Sequence, residues 1–195
     1  HLPASTPTIT YSSGSHAVGT LYVDGNLAVS GGTLDVYNGA TINGNLDLSG
    51  YGEIHLDTGA TGFSVTGAVT ANNATISINT GTVSLPGLTT ASSLTVWLSG
   101  TLDVPNLATA DHCTFYVYNQ LLAPNLTTFT NGTYYGATGS NVTLQSITDF
   151  TDTTIDMQDG STLHAPAWTT YSNTSVKAIE VDGTAVIDAP QLLTF

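Results

Sequence analysis

The chain has 195 residues, 41% of them apolar and only 8% charged, with 14 acidic side chains against a single lysine, Lys177, and no arginine. The resulting net charge of −13 excludes binding to nucleic-acid backbones and to anionic membrane surfaces, both of which need clustered cations. It also repels polyanionic glycans such as uronates unless metal ions bridge them. No stretch approaches the ~20 apolar residues of a membrane span, so no membrane insertion is expected.

Polarity is carried by Thr, Ser, Asn and Gly, while the strong helix formers Glu, Lys, Arg and Gln are scarce, a composition that predicts an all-β fold. The lone Cys113 cannot form an internal disulfide. The chain opens on His1-Leu2-Pro3 with no basic, apolar leader, which reads as a mature or trimmed start.

Residues 1–17 lack the pattern that follows and are expected to be a cap or linker; 18–195 are expected to be one parallel β-solenoid. From there a marker recurs, an apolar residue followed by a spacer and Gly, or by Pro and a small or polar residue. It begins as Val23-Asp24-Gly25 and Ile42-Asn43-Gly44, continues through Leu85-Pro86-Gly87, Val104-Pro105-Asn106 and Ala123-Pro124-Asn125, and reaches Ala165-Pro166-Ala167 and Ala189-Pro190-Gln191. Including Val65-Thr66-Gly67 and Leu144-Gln145-Ser146, the steps are 19, 23, 20, 19, 19, 21, 21 and 24 residues. A period held this loosely fits solenoid coils, whose turns tolerate insertions.

Each coil carries two strand signals. One runs into the marker, with apolar residues two apart, as in Leu21/Val23, Val83/Leu85 and Leu102/Val104. The other lies about ten residues later, in triplets such as Thr75-Ile76-Ser77, Thr95-Val96-Trp97, Thr114-Phe115-Tyr116 and Thr154-Ile155-Asp156, ending with Ser175-Val176-Lys177. Alternation of this kind marks half-buried strands. In later coils the marker is followed by inward pairs three apart, Leu88/Ala91, Leu107/Ala110, Leu126/Phe129, Ile147/Phe150, Trp168/Tyr171 and Leu192/Phe195, read as a corner turning into the core. Pro86, Pro105, Pro124, Pro166 and Pro190 share one repeat position. Proline breaks a mid-strand ladder, so that position must be a strand end or corner.

The predicted fold is therefore all-β, a single-stranded parallel β-helix (β-solenoid) of about eight to nine coils of 19–24 residues, right-handed as parallel crossovers usually are. The last coil stops at Phe195 without a polar cap, so end-to-end self-association through it is expected, or continuation into a longer solenoid.

Phrases such as Val23-Asp24-Gly25-Asn26-Leu27 resemble passenger repeats of bacterial autotransporters and haemagglutinin-type adhesins. Leu85-Pro86-Gly87-Leu88-Thr89-Thr90 and Ala123-Pro124-Asn125-Leu126-Thr127-Thr128 resemble β-solenoid segments of large bacterial surface proteins, within the pectin-lyase-like β-helices. The resemblance implies secretion or surface display and a spacer, adhesive or glycan-binding role.

Stacking the triplets yields two outward columns. The first is Thr33, Glu53, Thr75, Thr95, Thr114, Thr133, Thr154 and Ser175. The second is Asp35, His55, Ser77, Trp97, Tyr116, Tyr135, Asp156 and Lys177, too varied to order ice-like water. Within it Trp97, Tyr116 and Tyr135 fall on consecutive coils with Tyr118 beside them, and this row is the candidate glycan-binding surface. A cross-strand aromatic ladder that merely stabilises the sheet is the competing reading.

No catalytic residues are predicted. A lyase needs a cation, and only Lys177 exists; Asp103 and Asp188 share a column but lie four coils apart, too far for a hydrolytic pair. Asp149, Asp152, Asp156 and Asp159 fall within one coil and read as a solvated acidic patch. The five His (1, 16, 55, 112 and 164) show no ligand spacing, so no metal and no cofactor are expected, and Cys113 aligns with the core position of Leu94.

The expected function is a non-catalytic extracellular structural or adhesive module of a larger protein, with a cell-surface or polysaccharide ligand as partner. The alternatives are a carbohydrate-binding module, a polysaccharide-active enzyme and a filament subunit.

Overall fold

The computed structural model describes residues 7–57, 62–174 and 179–193. Its strands are all parallel and stack as nine coils, with no helix among the described residues. The first face is the strand that runs into the marker, from Leu21–Val23 to Val186–Asp188, in strict sequence order. The second face is built by the triplets, and its register links Thr33, Glu53, Thr75, Thr95, Thr114, Thr133 and Thr154 as predicted. Val96, Phe115 and Ile155 point inward and are at most 2% exposed.

A third face exists that the sequence reading took for a corner. Thr8–Tyr11, Asn26–Val29, Leu46–Leu48, Thr109–Asp111 and Thr128–Thr130 form it, joined by the first halves of Val69–Thr80 and Leu88–Leu98. The three-residue spacing spans two elements. Leu107 closes a β-turn by donating its N–H to the Val104 carbonyl at 3.1 Å, and Ala110 is the inward residue of the strand beyond. In early coils the equivalent residues, such as Leu46 and Leu48, are only two apart. The extra residue enters between the fourth and fifth coils, where pairing shifts from Val69↔Leu88 to Ala71↔Ala91.

The proline position is the second residue of that turn. Leu88, Leu107, Leu126, Trp168 and Leu192 each donate to the carbonyl three residues back, so the missing proline amide costs no ladder bond. Asparagine follows in two of these turns and ties coil to coil: Asn106 Nδ2 donates to the Pro86 carbonyl at 2.8 Å and Asn125 Nδ2 to that of Pro105 at 2.7 Å. The corner between the third and second faces is made by one left-handed residue per coil, Asn73, Ser93, His112, Asn131 and Asp152, with φ of 51–55°.

The core is an apolar column from Val23 to Trp168. Its later coils carry an aromatic spine, Phe115–Phe129 at 5.1 Å between centroids and Phe150–Trp168 at 4.9 Å. Trp168 is fully buried with its indole N–H on the Thr170 carbonyl, and Tyr171 donates its hydroxyl to the Thr153 carbonyl. Trp168 fills the core, and Tyr171 is partly buried and packs against it. Cys113 is buried beside the Leu94 coil, and burial pushes its thiol up to about 11.

Two segments differ from the sequence reading in detail. Within 1–17, Thr8–Tyr11 and Ser15–Val18 already pair with the next coil, Thr8 with Asn26 and Ser15 with Thr33. In the ninth coil the second-face strand is Ile179–Val181, paired with Ile155–Met157, so Glu180 and not Lys177 follows Asp156 in the outward column. Ser175, Val176, Lys177 and Phe195 lie outside the described residues. Beside that strand an apolar cleft of about 390 Å³ is lined by Trp168, Ile179, Val181, Ile187, Ala189 and Leu192.

Candidate functional site: the aromatic row and its neighbours

The register of the second face brings the predicted row together. Trp97 pairs with Tyr116 and Tyr116 with Tyr135 at the backbone, so all three side chains leave the same face on successive strands. Strands ~4.8 Å apart hold rings near stacking distance without further adjustment. Trp97 and Tyr116 use this, with centroids 4.0 Å apart and planes 14° from parallel. Tyr135 is tilted, 5.9 Å from Tyr116 at 56°, and Tyr118 leans on it from the turn at 6.0 Å and 52°.

This geometry changes what the row offers. Trp97 and Tyr116 pack face to face while Tyr135 and Tyr118 are tilted, so the four rings do not form a flat platform. Tyr116 is enclosed between two neighbours. Desolvation in the row raises the Tyr135 hydroxyl pKa, reinforced by Tyr118, Asp156 and Asp182. Trp97 meets one ring among the described residues, Tyr116, which leaves its other face without a ring on the side of Ser77; Tyr118 likewise meets one ring, Tyr135.

Beside this end of the row is a cleft that the sequence reading missed. It holds about 210 Å³ and is lined by Tyr51, Glu53, Asn73, Thr75, Ser93 and Thr95. Glu53, Thr75 and Thr95 stand two residues before His55, Ser77 and Trp97 on the same three strands, so the cleft and the row share one surface. Tyr51 was hidden from pattern reading because it occupies a corner at φ 65°, outside any strand.

The carboxylates are dispersed and engaged. Asp103 and Asp188 do share a first-face column, through Leu122, Thr143 and His164. Asp103 accepts from Ser84 at 2.8 Å, and Asp188 lies 2.6 Å from His164. The four aspartates expected as one acidic patch are distributed around the coil. Asp149 sits on the third face, Asp152 at the left-handed corner, Asp156 in the aromatic column and Asp159 in the next turn. Asp152 and Asp159 accept from the Thr174 and Thr184 hydroxyls of the following coil. Hydrogen bonds from Asn131, His112 and Thr130 hold Asp111 below the ordinary carboxylate pKa, and those from Thr184 do the same for Asp159.

Three histidines pair with acids across or within coils, His164 with Asp188, His55 Nδ1 2.9 Å from Asp35 and His112 Nδ1 2.8 Å from Asp111, while His16 Nδ1 lies 2.9 Å from the Tyr11 hydroxyl. Among the described residues no three His, Cys, Asp or Glu side chains are grouped to hold a metal ion. Comparison of the chain with protein-family models, curated proteins and solved structures gave no match.

Proposed function

We propose that this chain is a non-catalytic structural and adhesive module of a larger extracellular or cell-surface protein, of the bacterial adhesin type its repeats resemble. The observation that carries the reading is the unbroken nine-strand register of the first face over a continuous apolar core. A stack of this kind holds one surface in fixed repeat along an axis, which suits a spacer or a display rod. Acidic residues support the rod reading, because in coil after coil they accept hydrogen bonds from the neighbouring coil.

Shaving of intact source cells with chymotrypsin tests the location; trypsin is unsuitable because Lys177 is its one target. Peptides of this chain should appear in the shaved fraction. Their recovery only after lysis would overturn surface display. Incubation of the purified chain with neutral and uronate polysaccharides, with and without Ca²⁺, should release no reducing ends or unsaturated products. Release by the chain, absent from a mock purification, would overturn the non-catalytic part.

A further inference from the structure

The aromatic row is asymmetric. At its far end Tyr135 is packed by Tyr118 and followed by Asp156. At its near end the column steps down from Trp97 to Ser77 and rises again at His55. Trp97 is 41% exposed, and its only ring contact among the described residues is Tyr116. A notch one strand wide is therefore cut into the column, with the open indole face as one wall, Ser77 as floor and His55 as the other wall.

Its width is fixed by the fold. Two strand spacings put the walls about 9.6 Å apart at the backbone. A single ring needs about 7–8 Å between its two neighbours at van der Waals contact. The notch thus accepts one ring and no more. Its lining is apolar on one side only. His55 Nδ1 donates to the Asp35 carboxylate, which can only accept, and its Nε2 lies 3.7 Å from Glu53 Oε2, so the wall opposite the indole is polar. Glu53 Oε2 already accepts from Thr33 at 3.0 Å, and among the described residues no hydrogen bond engages its Oε1. Along the strand, about 6.6 Å away, the floor continues as Thr75 and Thr95 to the cleft walled by Tyr51, which is 76% exposed.

We propose that this notch is a binding subsite for one ring of a neutral oligosaccharide, whose next residue lies over Thr75 and Thr95 against Tyr51. A pyranose has an apolar C–H face for the indole and a rim of hydroxyls, each able to donate or accept, for the polar atoms of His55, Glu53 and the threonines. A flat aromatic ligand would leave those polar atoms without partners. A uronate would meet Asp35 and Glu53. The site lies at the open end of the row and not along it, so Tyr116, Tyr118 and Tyr135 support Trp97 without touching sugar. This goes beyond the rod reading and stands apart from it.

Trp97 reports directly, because the other tryptophan, Trp168, is sealed in the core. The probes are α- and β-linked tetrasaccharides of neutral hexose or N-acetylhexosamine, titrated one at a time, with a uronate tetrasaccharide as the control. At least one neutral probe should shift the Trp97 emission saturably and the uronate should not. Ser77→Tyr prolongs a ladder the column already tolerates and fills the notch, so it should weaken binding roughly tenfold or more without lowering Tm. Trp97→Ala, followed by calorimetry, should do the same, and Tyr135→Ala should leave Kd within about twofold. Absence of saturable binding by every neutral probe would overturn the site, as would unchanged binding in Ser77→Tyr. Loss in Tyr135→Ala with Ser77→Tyr unaffected would move the site to the far end and equally overturn this assignment. None of these results bears on surface display, which the shaving experiment tests.

Discussion

Trp97 and Tyr116 face each other across neighbouring strands with ring centroids 4.0 Å apart and planes 14° from parallel. The pair is held by backbone register, since Trp97 and Tyr116 are direct partners in the ladder. A double-mutant cycle with Trp97→Ala and Tyr116→Ala should give a coupling of about 0.5–1.5 kcal/mol in urea unfolding. The same cycle on Trp97 and Tyr135, which do not touch, should give a coupling near zero.

The left-handed corner makes a prediction of opposite signs. Ser93 and Asn131 sit at φ 51° and 55°. An L-residue there costs roughly 1–2 kcal/mol, least for Asn and most for a β-branched side chain. Ser93→Gly should leave stability unchanged or raise it by up to about 1 kcal/mol. Asn131→Val should lower it by about 1–2 kcal/mol, and would also remove the Asn131 bond to Asp111. Chemical denaturation of both variants checks the pair.

Tyr134 is an inward residue of the second face, 1% exposed, and its hydroxyl has no hydrogen-bond partner among the described residues. Burial raises the pKa of that hydroxyl strongly. Leaving a polar group unsatisfied in a core costs about 1–3 kcal/mol. Tyr134→Phe should therefore be neutral or stabilising by up to that amount, seen as an equal or higher Tm. A drop in Tm would show that the hydroxyl has a partner.

Much of this fold is legible from one rule, alternation stacked in register. It places Val96, Phe115 and Ile155 inside, Thr95 and Thr114 outside, and the prolines at a turn. Where it fails, the reason is physical. The ninth coil slips because Ser175-Val176-Lys177 and Ile179-Glu180-Val181 are four apart, and a period of two cannot tell even offsets apart. The marker step of 24 residues from Ala165 to Ala189 matches the step from Ile155 to Ile179 and carries the correct frame. The third face is obscured because its inward spacing changes from two to three where a residue is inserted. The N-terminal coil is silent because His16, paired with Leu34, occupies an inward position in an exposed strand. The aromatic row is readable as a column, but ring orientation is not, so the notch at Ser77 needs coordinates.

Acid should weaken the stack. Asp111 and Asp159 lie below their ordinary 3.8 in the folded chain, so the unfolded chain takes up their protons first. Their contribution is fully present above that value and is lost as pH falls from it through the folded values. Urea midpoints should hold between pH 7 and 5 and drop below pH ~4. Asp111→Asn should flatten that drop. An unchanged acid limb in this variant would show that Asp111 is not part of it.

Among the described residues the strands of each inner coil pair with those of the coil before and the coil after. Under tension applied at the two termini, nothing outside that nearest-neighbour contact resists the pull. Such a rod would lengthen by peeling single turns from an end, and a turn such as the one from Thr95 to Thr114 would release about 60 Å of slack. A stack made this way would yield to a load in small increments, one turn at a time.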